Sequence, residues 1–176
     1  MEKVRRPDTH EQEVARLIES LKDVYSSYAQ ADTEEPKSRQ RITRLFKKWF
    51  SGFDPLTTQP VNEAFLSEVQ RIVAKMAAVL ENMKNKTPDA SEAIAAKALD
   101  IMLAPKPRRE KTTTDWYLSI SEYLCAPLLP YASSDKLMSA RTDMLKRTPK
   151  RMMLPKQREL LNTIEETIKK TNRKEM

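Results

Sequence analysis

"PVNEAFLSEVQRIVAKMAAVLENMK", residues 60 to 84, decides the fold class. Phe65, Leu66, Val69, Ile72, Val73, Met76, Ala77, Leu80 and Met83 recur at steps of three and four. That spacing lines one face of an α-helix. A half-buried strand would alternate with period two, and this stretch does not. About 24 residues at 1.5 Å each make a rod of roughly 36 Å. Pro60 stands near the first helical position, where a missing N–H costs nothing. The spacing therefore predicts a long central helix whose broad apolar face other helices must cover.

The flanking sequence supplies those helices. Residues 9–31 carry Val14, Leu17, Ile18, Leu21, Val24, Tyr25 and Tyr28 on a helical period. Thr9 and Gln12 have the spacing of a capping box at its start. "PKSRQRITRLFKKWF", residues 36–50, reads as a basic amphipathic helix. Lys37, Arg41, Arg44 and Lys48 form a stripe roughly 130–140° from the face of Ile42, Leu45, Phe46, Trp49 and Phe50. Gly52 is its expected stop. "KTPDASEA", residues 86–93, is a helix start with Thr87 as cap, Pro88 first, and Asp89 and Glu92 in the first turn. That helix is expected to reach about Leu103, and its alanines permit close helix–helix approach.

"APKPRREKTTT", residues 104–114, reads as a linker. Beyond it a helix is expected from about Asp115, capped by Thr114 and ending before Pro127, with Trp116, Tyr117, Ile120, Tyr123 and Leu124 along it. "APLLPYASS", residues 126–134, reads as a proline-bounded turn. Ser134 is the expected cap of a helix over 135–147, ended by Pro149. A last helix begins near Pro155 and shows Leu160, Leu161, Ile164 and Ile168. The expectation is an all-α bundle of about seven helices. An N-terminal helical bundle (1–103), the linker (104–114) and a smaller basic unit (115–176) compose it, with packing into one globule open to them.

Composition agrees. Across 176 residues there is one glycine, Gly52, against eleven prolines. Glycine supplies tight hairpins and phosphate-cradling loops, so its near-absence argues against a β-sandwich, a dinucleotide-binding unit or a P-loop. No apolar run approaches a bilayer span. The opening "MEKVRRPDTHEQEV" has no apolar stretch of the kind a secretory signal carries. One cysteine, Cys125, has no partner for an internal disulfide. An intracellular, reducing, cytoplasmic location is expected.

The residues for catalysis are sparse. The one histidine, His10, lies near the N-terminus and Cys125 lies on an aromatic helix, where a core thiol is the simplest reading. The acids stand among cations at helical spacing; Asp143 with Arg147 is one expected intrahelical pair. There is no Ser-His-Asp set and no Cys-x-x-Cys. The expectation is a protein that is not an enzyme, with no catalytic residue, no cofactor and no metal.

Charge is the remaining signal. The net charge is +7. Residues 1–103 balance, at 16 cations and 16 acids, while 104–176 hold 16 cations and nine acids. "RTDMLKRTPKRMMLPKQR", residues 141–158, holds Arg141, Lys146, Arg147, Lys150, Arg151, Lys156 and Arg158 against the single acid Asp143. Lys106, Arg108, Arg109 and Lys111 in the linker add to it, as do Lys169, Lys170, Arg173 and Lys174 near the end. Such arrays bind backbone phosphates. The leading expectation is a nucleic-acid-binding accessory or regulatory protein, for DNA or RNA. It would grip phosphates through 141–158, assisted by Lys37, Arg41, Arg44 and Lys48. Few Asn or Gln stand among the cations, so sequence preference is expected to be weak.

A helical adaptor or chaperone-like protein for an acidic protein partner is the alternative, anchored by Trp116 or Met152 with cations as its rim. Helix 36–50 also has the pattern of a membrane-surface helix, although burial of its aromatic face among neighbouring helices is the preferred reading. The stripe Val14, Leu17, Leu21, Val24 and Tyr28 suits a homo-oligomer seam as well as a core face.

Overall fold

A computed structural model of the chain describes residues 9–30, 61–105 and 113–175. The expected helix 36–50 with Lys37, Arg41, Arg44 and Lys48, and the linker cations Lys106, Arg108, Arg109 and Lys111, lie outside the described residues. The fold is all-α. Among the described residues there are α1 (Thr9–Gln30), α2 (Val61–Met83), α3 (Pro88–Met102), α4 (Thr113–Ser121), α5 (Ser134–Arg147) and α6 (Pro155–Glu175), with 3₁₀ segments at Glu122–Tyr131 and Lys150–Met152 and no strand. None of these helices is long and apolar enough to cross a membrane.

The long helix is where its spacing puts it. Phe65, Val69, Ile72, Val73, Met76, Leu80 and Met83 of α2 are buried, and Ala64 and Val79 widen the face. α1 lies against α2 and buries Val14, Leu17, Ile18, Leu21, Val24 and Tyr28. That stripe is thus core within the chain. Tyr28 stacks on Phe65 with centroids 4.0 Å apart and planes within 4°. Tyr25 meets the same ring edge-on at 5.4 Å. Both phenols are held. Tyr28 Oη donates to Asn62 Oδ1 at 2.5 Å. Ser121 Oγ gives its proton to the Leu118 carbonyl at 2.7 Å, so Tyr25 Oη donates to Ser121 Oγ at 2.9 Å. Burial pushes the Tyr25 phenol well above its ordinary pKa.

α3 begins at Pro88 as expected, and Thr87 takes the cap position. Its hydroxyl makes no cap bond; its carbonyl accepts from Ser91 N–H instead. Ala95 and Ala98 are fully buried, with Leu99 and Met102 beside them.

The sharpest departure from the sequence reading is at 122–131. The expected aromatic helix starts at Thr113, two residues early, and its α-helical part stops at Ser121. A ten-residue 3₁₀ helix then runs through Pro127 and Pro130, where a turn was expected. With three residues per turn, side chains three apart stack in rows. Glu122, Cys125 and Leu128 make one buried row. Ala126, Leu129 and Ala132 make a second that is buried from Leu129 on. Pro127 and Pro130 share the third with Leu124 and face solvent. The prolines therefore sit where ring and missing N–H do least harm. This segment packs on α2, α3, α4 and α6, and one apolar core runs from α1 to α6.

α5 is capped by Ser133, not Ser134: Ser133 Oγ accepts from Lys136 N–H at 3.1 Å. Ser133 is extended while Ser134 is already helical, and a cap needs the extended residue. Thr148 before Pro149 is also extended, which ends α5.

Phe65 carries two ring contacts and is fully buried, so Phe65→Ala is expected to lower unfolding free energy by about 3–5 kcal/mol in urea titration. A loss below about 1 kcal/mol would show that α1 does not depend on this stack.

Candidate functional site

α5 and α6 form a hairpin. Ser134 at the start of α5 donates to Asn172 Oδ1 near the end of α6, at 3.1 Å. Arg141 Nε donates to Glu165 Oε1 at 2.9 Å midway. The tip of the hairpin is the 148–154 connection, built on the 3₁₀ turn Lys150–Met152. Its exit is fixed by Gln157, whose Oε1 accepts from Leu154 N–H at 3.0 Å while Pro155 opens α6. This is the return half of a capping box, with no hydroxyl at the cap itself.

The fold brings the seven cations of 141–158 to this hairpin: Arg141, Lys146 and Arg147 from α5, Lys150 and Arg151 from the turn, Lys156 and Arg158 from the first turn of α6. Four of them meet carboxylates. Arg147 Nη1 donates to Glu122 Oε1 at 3.0 Å. Arg141 and Lys150 share Glu165, Lys150 at 3.9 Å. Lys156 pairs with Glu159 at 3.0 Å and lies 5.0 Å over the Tyr123 ring. Lys146, Arg151 and Arg158 are exposed and make no ion pair among the described residues. The segment's charge is thus compensated in part by acids that the linear stretch does not contain.

The expected pair Asp143–Arg147 does not form. Arg147 Nε reaches the Asp143 carbonyl at 3.4 Å, and the guanidinium turns to Glu122. Glu122 has 4% side-chain exposure. A carboxylate out of water needs a cation far more than solvated Asp143 does. The Met152-Met153-Leu154 run also divides: Met153 is buried, Leu154 half-buried, and Met152 is 69% exposed. Beside Glu122 lies a cavity of about 20 Å³, lined also by Met144, Arg147, Thr148, Met153 and Gln157, room for one water. A cleft of about 150 Å³ between α3 and α5, with Leu99, Leu103, Lys136 and Asp143 on its walls, is smaller than the sites that enclose small molecules.

Elsewhere, Cys125 is fully buried in the core. His10 stands in the first turn of α1, its Nδ1 buried without a hydrogen-bond partner among the described residues. Among the described residues no three His, Cys, Asp or Glu side chains gather as a group able to hold a metal. Tyr131 Oη donates to Glu81 at 2.6 Å, and burial with that bond pushes its pKa up to about 12. The sequence reading missed Glu122 as a structural acid. The signal was the three-residue spacing of Glu122, Cys125, Leu128 and Tyr131, which belongs to a 3₁₀ row and not to an α-helix.

Removing Arg147 takes the ion-pair cation away from a buried carboxylate. Arg147→Ala is expected to destabilise the fold by about 2–3 kcal/mol in urea unfolding, and adding Glu122→Leu to Arg147→Met to recover most of that. If Arg147→Ala unfolds like the wild type, the pair is not structural.

The hydrogen bond from Arg141 holds the Glu165 carboxyl below the usual carboxylate range, with Lys150 and Lys169 adding charge. A depressed folded pKa stabilises above the unfolded value, about 4.3, and that contribution is lost as pH falls through the folded value. The stability gap between wild type and Glu165→Gln is therefore expected to be open at pH 7 and to close below about pH 4. A gap constant down to pH 3 in thermal melts would refute the assignment.

Compared with known proteins, the chain matches no family model, no curated protein and no solved structure.

Proposed function

We propose that the protein is a non-enzymatic nucleic-acid-binding accessory or regulatory protein that grips backbone phosphates with the tip of the α5–α6 hairpin. One observation carries the reading. Lys146, Arg151 and Arg158 are exposed around a single turn and have no acid partner among the described residues. Lys150 and Lys156, each more than half exposed, stand beside them with longer or solvent-facing pairs. A cation held by a surface carboxylate exchanges it for a phosphate at little cost. Arg147 and Arg141 serve differently: they hold α5 to the 3₁₀ segment and to α6, and so fix the tip. The division of labour follows the charge. Residues 1–103 act as the helical scaffold, 115–176 as the basic binding unit, and the helix 36–50 stripe and linker cations assist. Gln157 is half-buried with its Oε1 already accepting from Leu154 N–H, so it is not poised for the bidentate amide contact that reads adenine. The preference for sequence is accordingly weak.

A second reading takes the exposed Met152 as the anchor of an acidic protein partner, with the same cations as rim. The two differ in what hurts them. Charge reversal abolishes a phosphate grip, whereas an anchored protein contact suffers more from Met152→Ala.

The test is fluorescence anisotropy with labelled duplex DNA and single-stranded RNA. With about four phosphates neutralised, raising salt from 50 to 200 mM is expected to weaken binding roughly 100-fold. Changing Lys146, Lys150, Arg151 and Arg158 to Glu is expected to remove binding without altering the circular dichroism spectrum. Affinity that ignores salt, or survives those four reversals, would sink the reading.

A further inference from the structure

Met152 is the one feature of the tip that a phosphate grip does not use. Its neighbours Met153 and Leu154 turn inward, yet Met152 is 69% exposed at the end of the turn Lys150–Met152, between Pro149 and Pro155. Lys150 and Arg151 immediately precede it and are exposed. A phosphate offers nothing to a thioether, so on a polyanion the partner of this side chain is a base. Single strands are held on aromatic platforms, and the tip connection 148–154 contains no aromatic residue. Duplex DNA is entered differently. A lone apolar side chain, methionine among them, inserts between two base pairs from the minor groove, and cations on either side take the adjacent phosphates. A lipid surface asks for a continuous apolar face. Among the described residues the other exposed large apolar side chain, Met138, lies roughly 15 Å back along α5, away from the tip.

We infer that Met152 is a wedge that enters a base step of duplex DNA while Lys150 and Arg151 hold the flanking phosphates, so that binding bends the duplex. This rests on the nucleic-acid reading above and adds to it the duplex form, the insertion and the bend.

The experiment is energy transfer between dyes at the two ends of a duplex of about 30 base pairs, at saturating protein and 50 mM salt, with anisotropy on the same duplex. Wild type is expected to raise the transfer efficiency. Met152→Ala is expected to bind within about fivefold of wild type while the efficiency stays at the free-duplex value, and Met152→Leu to restore the bend. If Met152→Ala bends the duplex as fully as wild type, the wedge is refuted while the phosphate grip stands, because binding persists. If the wild type binds without bending, the wedge is refuted in the same way. If wild type binds no duplex at 50 mM salt, the underlying reading fails and the wedge with it; binding to single-stranded RNA or to an acidic polypeptide in that assay would then identify the other partner class.

Discussion

The fold depends on burying one side of a ten-residue segment, Glu122–Tyr131, that two prolines keep from forming a regular α-helix. Between α4 and α5 the chain must pass through Pro127 and Pro130 while placing Glu122, Leu124, Cys125, Leu128 and Leu129 in the interior. The 3₁₀ helix meets both demands, because a repeat of three puts the two prolines on one row and the buried side chains mostly on the others. Runs this long are uncommon, since their hydrogen bonds are poorly aligned. Here the surroundings supply the stability: α2, α3, α4 and α6 all pack against the segment. The N-terminal helices and the basic C-terminal hairpin consequently share one core.

Burying that row takes Glu122 with it, and this constraint reaches the surface. The carboxylate needs a cation, and Arg147 at the end of α5 provides it. α5 is thereby held against the 3₁₀ segment at its C-terminal end, next to the connection that carries the exposed cations. Arg141 and Glu165 tie the same helix to α6. The tip is thus braced on both sides by ion pairs, with Gln157 closing the turn at Leu154. Backbone rigidity at the tip follows from these three contacts. A rigid array of donors loses less freedom on meeting a phosphate backbone than a flexible one does.

Much of the architecture was legible in the sequence because helices announce themselves by period. The apolar positions read on α1 and α2 are buried or half-buried, and Pro88 and Pro155 open helices as their positions imply. What was illegible has a common cause. Pro127 and Pro130 suggest a turn when judged locally, and only tertiary packing makes the stretch helical. Ser133 and Ser134 are equivalent caps until the backbone is known. The candidate site reads in the sequence as a stretch and not as a surface. Residues 141–158 do converge on one hairpin. Glu122 and Glu165, which decide which cations stay available, stand 19 residues before Arg141 and seven after Arg158, and no local window weighs them. Nor does a run such as Met152-Met153-Leu154 say which member faces out.

The distinction between cations that hold the fold and cations that stay exposed has a physical basis. A guanidinium paired with a buried carboxylate gains its energy from low dielectric, and leaving that partner for a solvated phosphate would strand the acid. Arg147 is therefore tied to Glu122 before any ligand arrives, however basic its neighbourhood looks in sequence. Lys146, Arg151 and Arg158 have no such tie among the described residues. Their mutual repulsion is an unfavourable term in the isolated fold, small because solvent screens it and smaller still at high salt. A bound polyanion, as proposed, would relieve it and release counterions at the same time. On the proposed phosphate grip, stability and binding would draw on different members of one basic segment: changes at Arg147 would move the unfolding transition, and changes at Arg151 the affinity. That separation is what a surface kept for a partner, as opposed to a merely solvated face, would have to show.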